Sequence, residues 1–287
     1  MERRTFLKLS AATACSLSSG CMENLQEGAT AANRAKTFNI SLAQWSLHKR
    51  LFGKAGEKLD NLDFAEAAGK LGFDGIEYVN QFFMDKALDA RYITEMKKRA
   101  SDHGVKSLLI MCDGEGNLGD PDKIKRTKTV NNHLKWINVA SVLGCHSIRV
   151  NAHSEGSYDE QLKLNADGLR RLSEQGAKSG INVIVENHGG FSADANWLTS
   201  LVKKVNLPNC GILPDFANFP KETNKYEAID ILMPYAKAVS AKSFDFDKMG
   251  IEYEGDRLGE QEGILATKRL LERVRDKLKQ AYVKIDS

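Results

Sequence analysis

From about Lys36 onward, short apolar runs alternate with stretches whose apolar residues recur every three or four positions. The short runs begin near Phe38, Gly75, Val105, Ser147, Ile181, Cys210, Lys237 and Gly250, and they read as buried strands. Between them, Val130, Leu134, Ile137 and Ala140 form one apolar stripe on a helix, as do Leu162, Ala166, Leu169 and Leu172. Glycines follow several of these stretches, at Leu71–Phe73, His103-Gly104, Leu143–Cys145 and Ser179-Gly180, where a left-handed residue would end a helix. Eight strands with intervening helices predict an α/β chain of the (β/α)8 TIM-barrel type, with an open doubly wound sheet as the alternative. Against the alternative, no GxGxxG turn follows the first strand and no GxxxxGK[ST] loop occurs.

One connection breaks the alternation. The last two strand starts, Lys237 and Gly250, are only 13 residues apart, so the helix between strands 7 and 8 is expected to be missing. Seven extended residues, Ser243–Met249, reach about 23–25 Å, enough to return along a barrel wall; a hairpin is the other possibility. Residues 36–287 are expected to form the barrel, and residues 1–35 a leader and linker.

That leader has its own pattern. Arg3-Arg4-Thr5-Phe6-Leu7-Lys8, followed by the small, weakly apolar run Leu9–Gly20, predicts a twin-arginine export signal and a periplasmic protein; a basic N-terminal tail is the plainer reading. The run is too short to span a bilayer as a helix. Leu17-Ser-Ser-Gly-Cys21 resembles a lipoprotein processing site, with Ser18 where leucine is usual, so a lipid on Cys21 is the membrane attachment it implies. Cys15 and Cys21 belong to this leader. Cys112, Cys145 and Cys210 are widely spaced, show no CxxC pattern and are expected to be buried free thiols.

Composition narrows the partners. With 42% hydrophobic residues, 41 basic and 38 acidic side chains and a net charge of +3, the chain has ample core material and no basic tract suited to nucleic acid.

The candidate chemistry lies in three strings, IVENHGG (Ile184–Gly190), LPDFANF (Leu213–Phe219) and GIEYEG (Gly250–Gly255). Each puts an acid at the end of an apolar run, where burial is costly unless the strand ends converge on a polar or metal site. Glu186, Asp215 and Glu252 are therefore the primary candidates. Residues two apart on a strand share a face, which groups Glu186 with His188, Arg149 with Asn151 and His153, and Gln44 with Ser46 and His48. Gln44, Trp45, Glu77, Arg149, Asn151, His153, His188, Asn218 and Lys242 are expected around the acids as substrate contacts. Converging carboxylates with an imidazole suit Mn²⁺ or Mg²⁺, with Co²⁺ or Zn²⁺ as alternatives. Ion pairing of each acid with Arg149 or Lys242 is the structural reading of the same set.

QWSLH, LGFDGIEYV, MCDGEGNLGD, LGCHSIRVNA, INVIVENHGG, LPDFANF, MPYAKAVSAKS and GIEYEGDRLGEQEGI, taken in order over Phe38–Leu278, resemble the xylose isomerase-like sugar phosphate isomerase/epimerase family, in particular its exported members. The resemblance implies a TIM barrel whose Glu on strand five, Asp on six, His on seven and Glu on eight bind a divalent metal, the two glutamates exchanging protons with a sugar or keto-sugar. Carried over, these positions are Glu186, Asp215 and Glu252, with Glu186 and Glu252 catalytic. Ser240 stands where the strand-seven histidine is expected, so His188, Asn218, Ser240 itself or water would have to complete a metal shell. Two other uses of the same parts are a lyase or hydrolase acting on keto-sugars and a carbohydrate-binding lipoprotein without turnover. A DNA-repair endonuclease on a related barrel would need more histidines than the six present, and export would remove its substrate.

Overall fold

A computed structural model describes residues 38–243, 252–253 and 258–283. The chain divides into two compact units, one spanning Asn39–Val274 and the other combining Met1–Phe38 with Arg275–Ser287. The leader and its cysteines, residues 244–249 of the short link and the side chain of Glu252 lie outside the described residues.

The larger unit carries every described strand. Strands β1 (Ser41–Ala43), β2 (Gly75–Val79), β3 (Lys106–Met111), β4 (Ser147–Val150), β5 (Asn182–Glu186) and β6 (Cys210–Leu213) form one parallel sheet in sequence order. A two-stranded parallel sheet of β7 (Lys242–Ser243) and β8 (Glu252–Tyr253) follows. Bridges from Ala236 to Ile212 and from Ser240 to Asp215 tie the chain before β7 to the line of β6. Strand seven therefore begins later than the apolar pattern at Lys237 suggests, because residues 237–241 pair only at isolated points. The β7–β8 pairing is parallel, as an extended crossover requires and a hairpin cannot provide.

Helices α1 (His48–Leu51), α2 (Phe64–Lys70), α3 (Ala90–Asp102), α4 (Lys123–Leu143), α5 (Tyr158–Lys178), α6 (Ala195–Val205) and α7 (Lys225–Leu232) separate these strands, and α8 (Glu260–Val283) comes last. Their starts are fixed by side-chain caps: Asp89, Asp122 and Asp194 each accept two backbone N–H groups, and Ser157 with Glu160 closes a capping box. Gly144 ends α4 at φ 81°, the left-handed geometry expected from its place in the sequence. Gly168 serves another purpose, since a Cβ there would meet the Leu118 carbonyl at 2.0 Å, and its absence lets α5 close onto the loop before α4.

Burial follows from a sheet covered on both faces: all residues of β2, β4 and β6 are buried. Ala43, Val79, Leu109, Met111, Ile184 and Leu213, drawn from five strands, pack together as an inner apolar layer. Glu186 and Asp215 stand two residues beyond Ile184 and Leu213. The carboxylates thus form the next rung toward the carboxyl ends of the strands. The three described cysteines that lie outside the leader are buried free thiols, as expected. No described helix is long and apolar enough to cross a membrane.

Candidate active site

Asp215 is fully buried just after β6, where it is held from several sides. Its Oδ1 accepts from the N–H groups of Ala217 (2.8 Å) and Asn218 (3.0 Å), a turn created by the carboxylate itself. Its Oδ2 accepts from Ser240 Oγ at 2.8 Å and lies 3.8 Å from Lys242 Nζ. Asn187 clamps its backbone, donating to the Asp215 carbonyl at 2.9 Å and accepting from its N–H at 2.6 Å. Burial first, and then the neighbouring Glu186 charge, push the Asp215 carboxyl up to about 7; Lys242, the Ala217 N–H and Ser240 partly offset the rise.

Glu186, at the end of β5, is equally enclosed. Its Oε2 faces Arg149 Nε at 2.9 Å as an ion pair without an aligned hydrogen bond, and its Oε1 accepts from Asn218 Nδ2 at 3.0 Å. Asn218 Oδ1 in turn accepts from Lys242 Nζ at 3.3 Å. Asn218 thus joins the set, its side-chain amide linking Glu186 to Lys242 and its backbone N–H bonding Asp215.

A second group surrounds Arg149. Its Nη1 donates to Asp113 Oδ1 at 2.8 Å and to Asn151 Oδ1 at 3.3 Å, while Asn151 Nδ2 donates to the same Asp113 oxygen at 2.7 Å. Partial burial alone would raise the Asp113 carboxyl, but Arg149 and the Asn151 bond outweigh it and hold the carboxyl below its usual range. His153 is held down by burial and by the nearby positive field of His188. Asp113 is a site residue beyond those expected from the sequence; it stands two residues past Met111 at the end of β3 and carries the same signal as Glu186 and Asp215.

Several expected neighbours lie elsewhere or behave differently. His188 is exposed while Glu186 is buried, because β5 ends at Glu186 and its alternation does not carry into the following loop. The imidazole influences Asp113 and His153. Gln44 does not join the acids: β1 stops at Ala43, a 3-10 turn begins, and the buried Gln44 side chain donates to Asn61 at 2.7 Å and accepts from Val79 N–H at 2.8 Å. It staples β2. Trp45 stacks on His48 with ring centroids 4.9 Å apart and packs over the inner apolar layer beside Phe82, forming an aromatic flank. Glu77 lies inside β2, buried, accepting from Ser41 Oγ at 2.6 Å; burial first and Glu186 second raise its carboxyl to about 7, against the Ser41 bond and Arg149.

The family model for xylose isomerase-like TIM barrels matches residues 65–281. The chain belongs to this family. Among solved structures, a D-tagatose 3-epimerase-like protein is similar with a TM-score of 0.66 at 16% identity, over 86% of this chain and 100% of that one. The 3-keto-D-glucoside 4-epimerase YcjR from E. coli gives 0.63 at 16% identity, over 75% and 94%. A xylose isomerase-like TIM barrel protein from Mycobacterium smegmatis in complex with magnesium gives 0.58 at 16% identity, over 73% and 77%. No curated protein sequence matches significantly.

A divalent metal needs donor oxygens that are free to turn toward it. Among the described residues, no three His, Cys, Asp or Glu side chains gather as a metal-sized group. The two acids that do meet, Glu186 and Asp215, each face a cation, and both Asp215 oxygens already accept hydrogen bonds. Ser240 offers Asp215 a proton rather than a lone pair. The described donor set does not fit a divalent metal.

Proposed function

We propose that this chain is an isomerase or epimerase of a sugar or keto-sugar, with Glu186 as the proton-transferring group. The observation that carries the reading is the position of Glu186: a buried carboxylate at the carboxyl end of a barrel strand, aimed by Arg149 and Asn218 and set beside Asp215. That end of a parallel barrel is where catalytic side chains collect. Similar folds that act on sugars, the D-tagatose 3-epimerase-like protein and the keto-glucoside epimerase, support the substrate class.

In this reading Glu186 removes the proton from the carbon beside the carbonyl. The C–H electron pair becomes the C=C bond of an enediolate, and the carbonyl π pair moves onto oxygen. Ammonium and amide donors of Lys242 and Asn218 stabilise that oxygen as charge develops. In an isomerase Glu186 returns the proton to the neighbouring carbon while the hydroxyl proton passes to the former carbonyl oxygen; in an epimerase Glu186 keeps the proton and a second acid delivers its own from the opposite face. Glu252 is proposed as the acid on that side; its backbone pairs with Lys242 in β8. The aromatic flank of Trp45 suits the apolar face of a sugar ring, while Arg149, Asn151, His153 and His188 supply polar contacts. Export by the twin-arginine route, with a lipid on Cys21, is proposed as the location.

A sugar and keto-sugar panel followed by NMR tests the activity, with E186Q as the control. Conversion by the wild type and none by E186Q is expected. Saturable sugar binding by the wild type without any product would replace this reading with that of a carbohydrate-binding protein. A dehydrated or hydrolysed product would move it to a lyase or hydrolase.

A further inference from the structure

The resemblance to metal-dependent barrels and the side chains of this site disagree, and the disagreement is concentrated on Asp215. A carboxylate offers about four acceptor directions. Here two are taken by backbone N–H groups of Ala217 and Asn218, one by Ser240 Oγ, and the remaining side faces Lys242 Nζ at 3.8 Å. The Asn187 clamp on both backbone groups of residue 215 keeps the carboxylate from being re-aimed by a small shift of the chain. Lys242 is itself buried, with only 4% of its side chain exposed, and it reaches Glu186 through Asn218.

We propose that Lys242 occupies the position of the divalent metal in this chain, holding Asp215 directly and Glu186 through Asn218, so that the site binds no metal ion tightly. The proposal concerns the same site as the proposed function, but it rests on the contacts of Asp215, Glu186 and Lys242 and does not require turnover there. A covalently attached ammonium needs no inner-sphere ligands. Its presence explains how serine can replace a nitrogen donor at position 240, since the hydroxyl contributes a hydrogen bond to the carboxylate and no ligand is lost. A metal approaching Asp215 Oδ2 would meet an ammonium charge already 3.8 Å from that oxygen.

Manganese alone is the probe. Chelator-treated, full-length protein is titrated with Mn²⁺, and the free-ion signal is followed by electron paramagnetic resonance. The wild type is expected to leave Mn²⁺ free from the first addition. K242M, which removes the charge and keeps the length, should gain one site per chain at least about tenfold tighter than any wild-type binding. K242R, which keeps the charge, should leave Mn²⁺ free like the wild type, so that a gain confined to K242M follows the charge and not the substitution as such. Tight binding of one Mn²⁺ per wild-type chain overturns the proposal whether or not K242M folds. Failure of a folded K242M to gain affinity also overturns it. Turnover measured on the same samples separates the two readings: no turnover with no wild-type Mn²⁺ site removes the enzyme reading and leaves this one standing. Turnover that requires Mn²⁺ does the reverse.

Discussion

Glu77→Gln should change how stability depends on pH, and by a predictable amount. Glu77 is buried in β2 with Ser41 as its hydrogen-bond partner at 2.6 Å, and its carboxyl is raised to about 7. An unfolded glutamate titrates near ~4.3, and each unit of difference corresponds to ~1.4 kcal/mol. Because the folded value lies above the unfolded one, the native state keeps the proton longer. The stability gained from protonated Glu77 is full below about pH 4, declines as pH rises toward about 7, and then levels off. The whole swing is about 3–4 kcal/mol. Glutamine nearly matches the side chain in volume, retains an oxygen for Ser41 and cannot ionise. The stability of E77Q minus that of the wild type should therefore rise by about that amount between pH 4 and pH 8. Asp215, also raised, is common to both proteins and largely cancels. Urea titrations at closely spaced pH values measure the difference directly. Parallel profiles would show that Glu77 is not desolvated as described and would refute the reasoning.

E186Q should lower kcat by roughly 10²–10⁴-fold while circular dichroism stays unchanged, because the amide keeps the volume and loses the base; kcat within threefold of wild type, on the order of experimental scatter, would count against Glu186. D113N should cost about 1–3 kcal/mol by weakening its charged bonds to Arg149, and this cost should shrink as pH falls through the acid range, since a lowered carboxyl contributes stability above its unfolded value and loses it on protonation. Denaturation of both proteins at pH 7 and pH 3 checks it. Replacement of Arg3 and Arg4 by lysine should strand the precursor in the cytoplasm, and fractionation showing normal periplasmic delivery would overturn the export reading.

The acids of the candidate site were legible because a carboxylate at the end of an apolar strand is conspicuous, and the fold brings Glu186 and Asp215 together around Asn218 and Lys242. The same rule points to Asp113, just beyond the end of β3. The alternation rule failed where strands end. Gln44 follows the last residue of β1 and turns inward on a 3-10 turn, and His188 follows the end of β5 and faces solvent. Helix ends were readable from glycine, as at Gly72, Gly104, Gly144 and Gly180, all with positive φ. The beginning of strand seven was not: the stretch 238–242 looks apolar enough, yet ladder pairing depends on the neighbouring strand, and only single bridges form before Lys242. No pattern in the sequence shows that both Asp215 oxygens are already occupied. That depends on the turn the carboxylate itself folds.

The central claim is proton abstraction beside a carbonyl by Glu186. Incubation of the wild-type protein with the sugar it converts, in D₂O, reports this step by loss of the adjacent C–H signal in the NMR spectrum. The account predicts solvent deuterium at that carbon in recovered substrate or epimer, or at the neighbouring carbon of an isomerised product, at a rate that collapses in E186Q. Conversion with full retention of the original hydrogen at that carbon would contradict it.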